Sequence, residues 1–548
     1  MTNDVRLLTR RDVLYRLGAV GGAAAVYHGL TTFGLLPVPE ARAAVPGYPS
    51  DIGKGRKVIV IGAGLAGVCA AYLLAGHGFE TKVIEANSRA GGRSLTLRKG
   101  DSFAEVGGPV QTCAFTNSTL YLNAGPGRIP QHHYIVLDYC SELGVELQPY
   151  IFMGGSNLLQ SDSFLGGRPV PMRQAQFSLR GEISELLSKV AQKGKLDEAL
   201  GHIDRERFLQ MLSSFGQLQR SPDGRYRYDP QDPSFLGFPW TGYAEEPGAG
   251  LDAGQKTQRI PLDKIVRSDI WSSDNQLLFN NLQYYWQSSL LQPSGGMDMI
   301  WKAFLKQGVP GGKTVGDLII LDSPVKSLRN TATGVEVIHG DGVVDSADFC
   351  VSTMAPIQLA QVGKGLSTSF VNALADIAYD PATKVGWETK NRFWETKDRI
   401  YGGISFTDDI ISQIWYPSEG FHQPTGVLTA AYNRGDDALA FGKLPIGERF
   451  ELALQGGEKI HPGDYRRNIN MDTALAVAWQ NMPHFIGGWA NDTWETRPTS
   501  YKRLNQADPE GQIYLAGDFL SYWPGWQEGA LGAAELAFKQ IAERVTKG

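Results

Sequence analysis

Apolar positions fall into distinct patterns along the chain. Lys57-Val-Ile-Val-Ile61 is a short, nearly continuous apolar run, the pattern of a buried strand. Helix-forming residues from Val68 to Leu74 follow it, and a second strand is predicted from Thr81 to Ile84. Near the far end, Gln512-Ile-Tyr-Leu-Ala-Gly517-Asp518 repeats the short strand and leads to an Ala-rich helix from about Gly529 to Val545. Between these ends the spacing of Gln174 to Lys195 and of Leu196 to Gln217 predicts two helices with charged faces. The stretch Ser221 to Gly250, rich in Gly, Pro and Tyr, predicts loops. Strand followed by helix followed by strand is the signature of an α/β domain.

The first 45 residues read as an address. Thr9-Arg10-Arg11-Asp12 is followed by a Gly/Ala-rich apolar segment from about Leu17 to Leu36, then Ala41-Arg42-Ala43. Charged region, apolar region and small-x-small site, in that order, describe a secretory signal, and the paired arginines point to the twin-arginine route. The competing reading is a membrane anchor, which the glycines, His28, Thr31 and Thr32 make a poor one. A periplasmic or secreted location, reached through the twin-arginine export machinery, is therefore expected.

The chemistry begins at the first strand. Ile61 meets Gly62-Ala63-Gly64-Leu65-Ala66-Gly67, and the second strand ends at Glu85. Gly62 suits a tight turn, Gly64 a close approach of backbone to a pyrophosphate, and Gly67 close packing of helix on strand. The amides of Leu65 and Ala66 open the helix at the phosphates. Glu85, about 20 residues on, is placed to accept the hydroxyls of a ribose and to repel a 2′-phosphate. After it, Glu85-Ala86-Asn87-Ser88-Arg89-Ala90-Gly91-Gly92-Arg93 offers a second phosphate clamp, with Gly92 and Arg93 at its end. A nicotinamide dinucleotide has no need of this clamp, and the pattern resembles that of FAD enzymes of the glutathione-reductase type. Gly517 and Asp518 at the end of the last strand suit the ribityl chain and pyrophosphate, and the helix behind them points its positive end at the flavin. Ser323-Pro324-Val325-Lys326 and Asp348 to Pro356 read as a strand pair closing the adenine side, with Val325 offering backbone groups.

These motifs resemble the glutathione-reductase type of FAD domain and, with their Gly-Gly-Arg, the flavin amine oxidases. Further segments resemble the flavin-dependent L-amino acid oxidases of the monoamine oxidase superfamily: Asn123-Ala-Gly-Pro-Gly-Arg128-Ile-Pro130, Pro293-Ser-Gly-Gly-Met-Asp298, Ala382-Thr-Lys384-Val with Arg392-Phe-Trp394-Glu395, Gly402 to Asp408, Trp415-Tyr416-Pro417, Gly435-Asp436-Asp437, Gly487-Gly488-Trp489 and Pro524-Gly525-Trp526. The resemblance implies FAD as cofactor and oxidation of an L-amino acid to the imino acid, hydride passing from Cα to flavin N5. Hydrolysis then gives 2-oxo acid and ammonia, and oxygen is reduced to hydrogen peroxide. It implies that Gly125, Pro126 and Gly127 line the flavin while Arg128 clamps the α-carboxylate, a bidentate task suited to guanidinium. Tyr416 adds a hydroxyl to that carboxylate, Gly525 offers its carbonyl to the amine, and Trp526 forms an aromatic wall. Lys384 holds a water near flavin N5, and Trp489 touches the substrate side chain. Gln111 is a rival to Arg128, which is preferred for its charge and its flanks. His132 and His133 receive no role.

The same resemblance implies a discontinuous FAD domain (54–112, 292–383 and 498–548), an α+β substrate domain (113–150 and 384–497), and a helical insertion at the entrance (151–291). A homodimer is expected by analogy alone.

Composition narrows the classes. The chain has 548 residues with 52 Lys plus Arg against 57 Asp plus Glu, a net charge of −5 that leaves no footprint for nucleic acid. Gly, at 65 residues, is well above the usual ~7%. The four cysteines form no metal-binding spacing and no disulfide framework, so no metal is expected. The substrate side chain stays open: Trp489 and Trp494 suit an aromatic group, while Asp492 and Glu495 tilt the reading slightly to a basic or long one. The rival functions are an amine oxidase acting on carboxylate-free amines, a decarboxylating amino acid monooxygenase, and an exported flavoprotein without turnover.

Overall fold

Val58, Val60 and Ile61 are excluded from solvent on both sides, which places the first strand inside a sheet rather than at an edge. In a computed structural model of the protein, Lys57–Ile61 is the centre of a five-stranded parallel sheet. Its order is Ile319–Ile320, Glu80–Ile84, Lys57–Ile61, Phe349–Ser352, Ile513–Leu515. The structure describes residues 47–547 except 201–203, 233–237, 273–276, 492–496 and 507–509. The expected leader, Asp492, Trp494 and Glu495 therefore lie outside the described residues.

Helix Leu65–Gly76 follows the glycine turn and packs against the C-terminal helix Gln527–Lys547. Small side chains at their contact, including buried Ala70, Ala71, Ala534 and Ala537, let the two helices approach closely. The FAD-type α/β layer is thus assembled from chain segments more than 400 residues apart.

A second layer is a seven-stranded sheet ordered Leu475–Ala478, Ala382–Glu388, Val427–Arg434, Gln413–Tyr416, Gly403–Thr407, Leu158–Gln160, Val170–Pro171. All seven residues of Ala382–Glu388 are buried. The last two strands of this sheet come from inside 151–291, so the helical insertion proper starts at helix Met172–Gln192. The Leu158–Leu159 pair that carries the first of these strands is too short to show a period in sequence. Likewise Tyr121–Asn123 pairs with Thr96–Arg98 across the boundary drawn at 112.

Two further expectations are corrected. The segment expected as one helix from Leu196 to Gln217 contains Asp197–Leu200 and a separate helix Arg205–Gly216. Asp204 starts the second by accepting hydrogen bonds from the backbone N–H groups of Glu206 and Arg207. The segments 323–326 and 348–356 are not a strand pair. Val325–Asn330 joins a four-stranded sheet beside Val335–His339, while Phe349–Ser352 lies in the parallel sheet. Both still reach one cavity, through Val325 on one side and Thr353 on the other.

Candidate active site

The glycine turn is built for a ligand that comes against the backbone. Gly62 has φ +96°, a region closed to most side chains, and Gly67 packs on it so tightly that a Cβ would strike the Gly62 carbonyl. Gly64 differs: a Cβ there would meet no protein atom nearer than the Gly92 Cα at 3.9 Å, so the space it faces is open. Gly91, at φ +93°, is closed to a side chain by the Trp301 indole. Glu85 lies under this cradle, accepting from Ala63 N–H at 2.7 Å and Asn87 N–H at 2.8 Å. Those bonds fix the orientation of the buried carboxylate.

One elongated cavity runs past these groups. Gly62, Gly64, Leu65, Ala66, Glu85, Ala86, Gly92, Arg93, Gly125, Pro126, Val325, Gly517, Asp518, Gly525 and Trp526 all line it. Gly67 lies behind it, in the helix packing. Gly127 and Arg128 do not line it but belong to the adjoining pocket, because the chain turns away from the first cavity after Pro126. Arg93 forms an ion pair with Asp518 and donates to the Gly488 carbonyl at 3.0 Å. Asp518 also accepts from Gly525 N–H at 2.9 Å, so it joins the clamp loop to the C-terminal segment. Gln527 and Ala530, in the first turn of the last helix, complete the wall. The residues fit FAD. Glycines open the backbone, one carboxylate stands at the ribose end, and a helix N-terminus faces the other end.

The adjoining pocket shares Gly125, Pro126, Lys384, Tyr432, Trp489, Gly525 and Trp526 with the first cavity. Its base is Arg128, 9% exposed, with Nε and Nη1 lacking any hydrogen-bond partner. The guanidinium carbon lies 4.4 Å from the Trp286 ring centre and 4.5 Å from that of Trp415. Cation–π contact holds the group flat but leaves its N–H edge unsatisfied. Burial pulls the Arg128 pKa down from its ordinary value, the mark of a charge missing its counter-ion.

Several tethers fix the segment that carries it. Ile129 and Leu291 exchange backbone hydrogen bonds of 2.7 and 2.9 Å. The Asn123 side chain accepts from Thr96 Oγ1 at 2.7 Å and from Met297 N–H at 3.0 Å. Asp298, closing the Gly-Gly-Met-Asp turn, pairs with Arg98 at 2.6 Å and Lys302 at 2.6 Å. That turn acts as a brace for the arginine segment.

Lys384 sits where the two cavities meet. It is 3% exposed, and its Nζ donates to the carbonyls of Asn123 at 2.9 Å and Gly125 at 2.6 Å. Burial, then the Arg128 charge, lowers its pKa well below the usual lysine value. Both of its hydrogen-bond partners are backbone carbonyls rather than carboxylates.

Tyr416 is the clear correction. Its hydroxyl donates to Ser405 Oγ at 2.9 Å and lies 2.6 Å from His461 Nε2, whose Nδ1 is 2.9 Å from Asp398. It is 1% exposed in a separate core and touches neither cavity. Successive strand residues point to opposite faces, so Trp415 faces Arg128 and Tyr416 faces away. Sequence reasoning chose the hydroxyl and missed the parity. Tyr416→Phe is expected to cost about 1–3 kcal/mol of stability, because it leaves a buried polar group short of a partner, with little change in KM. Trp415→Ala is expected to raise KM at least tenfold. Steady-state kinetics beside a thermal melt separates the two.

Gln111 is structural, exchanging hydrogen bonds of 2.8 and 2.9 Å with the Ala476 backbone. His133 packs against Trp526 at 4.8 Å, and burial pushes its pKa down to about 3. Residues missed by the sequence reading are Trp286, Trp415, Tyr432, Gln413, Asn280 and Arg434. Only the two-residue spacing of Tyr432 and Arg434, ahead of Gly435, could have signalled a shared face.

Relatives cover nearly the whole chain. The flavin-dependent L-tryptophan oxidase RebO of Lentzea aerocolonigenes is 28% identical over 507 residues, 89% of this chain and 98% of that enzyme. An L-amino-acid oxidase of Siganus canaliculatus is 27% identical over 515 residues, 89% of this chain and 86% of that protein. Among solved structures, putrescine oxidase bound to putrescine matches with a TM-score of 0.57 at 15% identity, over 89% of this chain and 99% of that one. Cyclohexylamine oxidase from Brevibacterium oxydans IH-35A gives 0.57 at 17% identity, over 90% and 99%. These two structures show the shared fold. The family described as flavin containing amine oxidoreductase matches residues 65–542. With that span, that fold and a cavity shaped for FAD, the chain belongs to the flavin containing amine oxidoreductase family and is an FAD-dependent oxidase.

Proposed function

We propose that the protein oxidatively deaminates an L-α-amino acid, consuming oxygen and water and releasing 2-oxo acid, ammonia and hydrogen peroxide. The observation that carries this reading is the buried, unpartnered edge of Arg128. A buried guanidinium without a counter-ion costs several kcal/mol, and a substrate α-carboxylate supplies what is missing. A simple amine does not.

In this reading Trp286 and Trp415 hold the guanidinium plane, so both oxygens of the carboxylate bind along one edge. Gly525, on the wall common to both cavities, offers its carbonyl to the amine. The two contacts pin either side of Cα and turn its C–H toward the cofactor cavity. FAD, when bound, accepts the two electrons of this oxidation and passes them to oxygen. Lys384, whose pKa is lowered by burial, holds a water beside the reacting centre through its Nζ. Trp489 and Trp526 shield that centre from bulk solvent. Export by the twin-arginine route, read from residues 1–45, belongs to the same proposal.

A peroxide-coupled assay of the yellow protein against L-amino acids, D-amino acids and the matching decarboxylated amines tests it. Peroxide and 2-oxo acid from L-amino acids alone are expected. Turnover of amines alone, or an amide product, would replace the reading with an amine oxidase or a monooxygenase.

A further inference from the structure

The charges lining the substrate pocket do not balance. Arg128, Lys384 and Arg434 all line it, and among the described residues no Asp or Glu does. The Lys384 Nζ is engaged by the carbonyls of Asn123 and Gly125, which leaves two guanidinium groups. One α-carboxylate satisfies Arg128. Arg434 then faces whatever the substrate carries beyond Cα.

Its placement fits that role. Arg434 and Tyr432 lie two residues apart on one face of strand Val427–Arg434, about 7 Å at the usual rise. Tyr432 lines both cavities, whereas Arg434 lines only the outer pocket and is exposed at its mouth. The second guanidinium thus stands outward from the wall that the two cavities share. It makes no ion pair with any described residue, and its charge contributes to lowering the pKa of Arg128, so the two cations sense one another. The aromatic surfaces deeper in are committed: Trp286 and Trp415 clasp Arg128, and Trp489 and Trp526 border the cofactor cavity.

Resting on the proposed oxidase activity, we infer that Arg434 is a second carboxylate-binding residue, selecting L-amino acids whose side chain itself ends in a carboxylate. The pairing of two guanidinium groups with two carboxylates reverses the basic preference expected from sequence. A lysine or arginine side chain would bring a cation against Arg434 with no acid in the described lining to offset it. Glutamine is the sharpest competitor, since the buried Asn280 Oδ1 at the same pocket has no donor and suits an amide N–H.

The experiment compares L-glutamate with L-glutamine, nearly identical in shape, in wild type, Arg434→Gln and Arg434→Lys. Wild type is expected to favour glutamate at least tenfold in kcat/KM, Arg434→Gln to bring the ratio near one, and Arg434→Lys to restore part of it. A second readout needs no turnover: glutarate and butyrate are titrated against the holoenzyme and followed by the change in flavin absorbance. Glutarate is expected to bind at least tenfold more tightly, and Arg434→Gln to abolish the difference. A wild-type preference for glutamine, or an Arg434→Gln loss equal for both amino acids, would overturn the inference and leave Arg434 as a general attractor of anions. If no L-amino acid gives peroxide, the proposed activity fails instead, and the glutarate titration alone then decides whether a second carboxylate site exists.

Discussion

Replacing Arg128 by methionine is expected to lower kcat/KM for the preferred L-amino acid by about 10²–10⁴-fold while raising the melting temperature of the substrate-free enzyme. Both effects have one cause. Without substrate, the guanidinium is buried with Nε and Nη1 unpartnered, and burying a charge that has no counter-ion costs stability. Methionine fills a similar volume, keeps contact with Trp286 and Trp415, and removes that cost. With substrate, the lost charge-assisted pair leaves the carboxylate desolvated and unpaired. Removing one partner of a buried pair costs about 3–5 kcal/mol, and each 1.36 kcal/mol is about tenfold in rate. Turnover of the matching decarboxylated amine, if any, should not fall with it. A variant that lost activity and melted lower would instead mark Arg128 as a structural residue. Kinetics with paired amino acid and amine, beside a thermal scan, decides between them.

Gly67→Val is expected to yield protein without bound flavin, with less than a tenth of the wild-type absorbance near 450 nm. The Cβ of any side chain at 67 would strike the Gly62 carbonyl, and Gly62 is held at φ +96°. Relief requires helix Leu65–Gly76 to move off the sheet, and with it the amides of Leu65 and Ala66 at the phosphate end of the cavity. Overpacking of this kind costs about 1–3 kcal/mol or more, and here the displaced atoms are backbone that binds the ligand. Gly76→Ala is the control: a Cβ there meets nothing within 4 Å, so flavin content should stay at the wild-type level. Equal flavin in Gly67→Val would show that the helix tolerates the shift and that the third glycine is not required for packing.

The cofactor site was legible because its demands are local. A turn at positive φ, a helix packed on a strand, and an acid at a strand end each fall within a few residues, and each selects a residue type that sequence displays. The discontinuous pieces at Val325, Gly517 and Asp518 were found for the same reason. The segments 323–326 and 348–356 nevertheless pair with other strands, since partner choice depends on residues far away.

In the pocket beside the cofactor cavity, the residues singled out from sequence that do line it include Arg128 and Lys384, each inside a recognisable segment. Tyr416 failed because a hydroxyl invites a role while strand parity assigns the face, and a one-residue step reverses it. Trp286 came from a stretch without period, and Arg434 reaches the pocket from the end of a strand far from Arg128 in sequence. By itself the chain's order of residues determined a flavin-binding α/β layer and its glycines, since backbone conformation constrains residue type directly, while Arg128 was singled out through the segment that resembles the family. Which side chains face Arg128, and the placing of Arg128 and Arg434 in one pocket lining, emerge once distant strands share one wall. Electrostatics there depends on distances between groups that sequence separation does not encode.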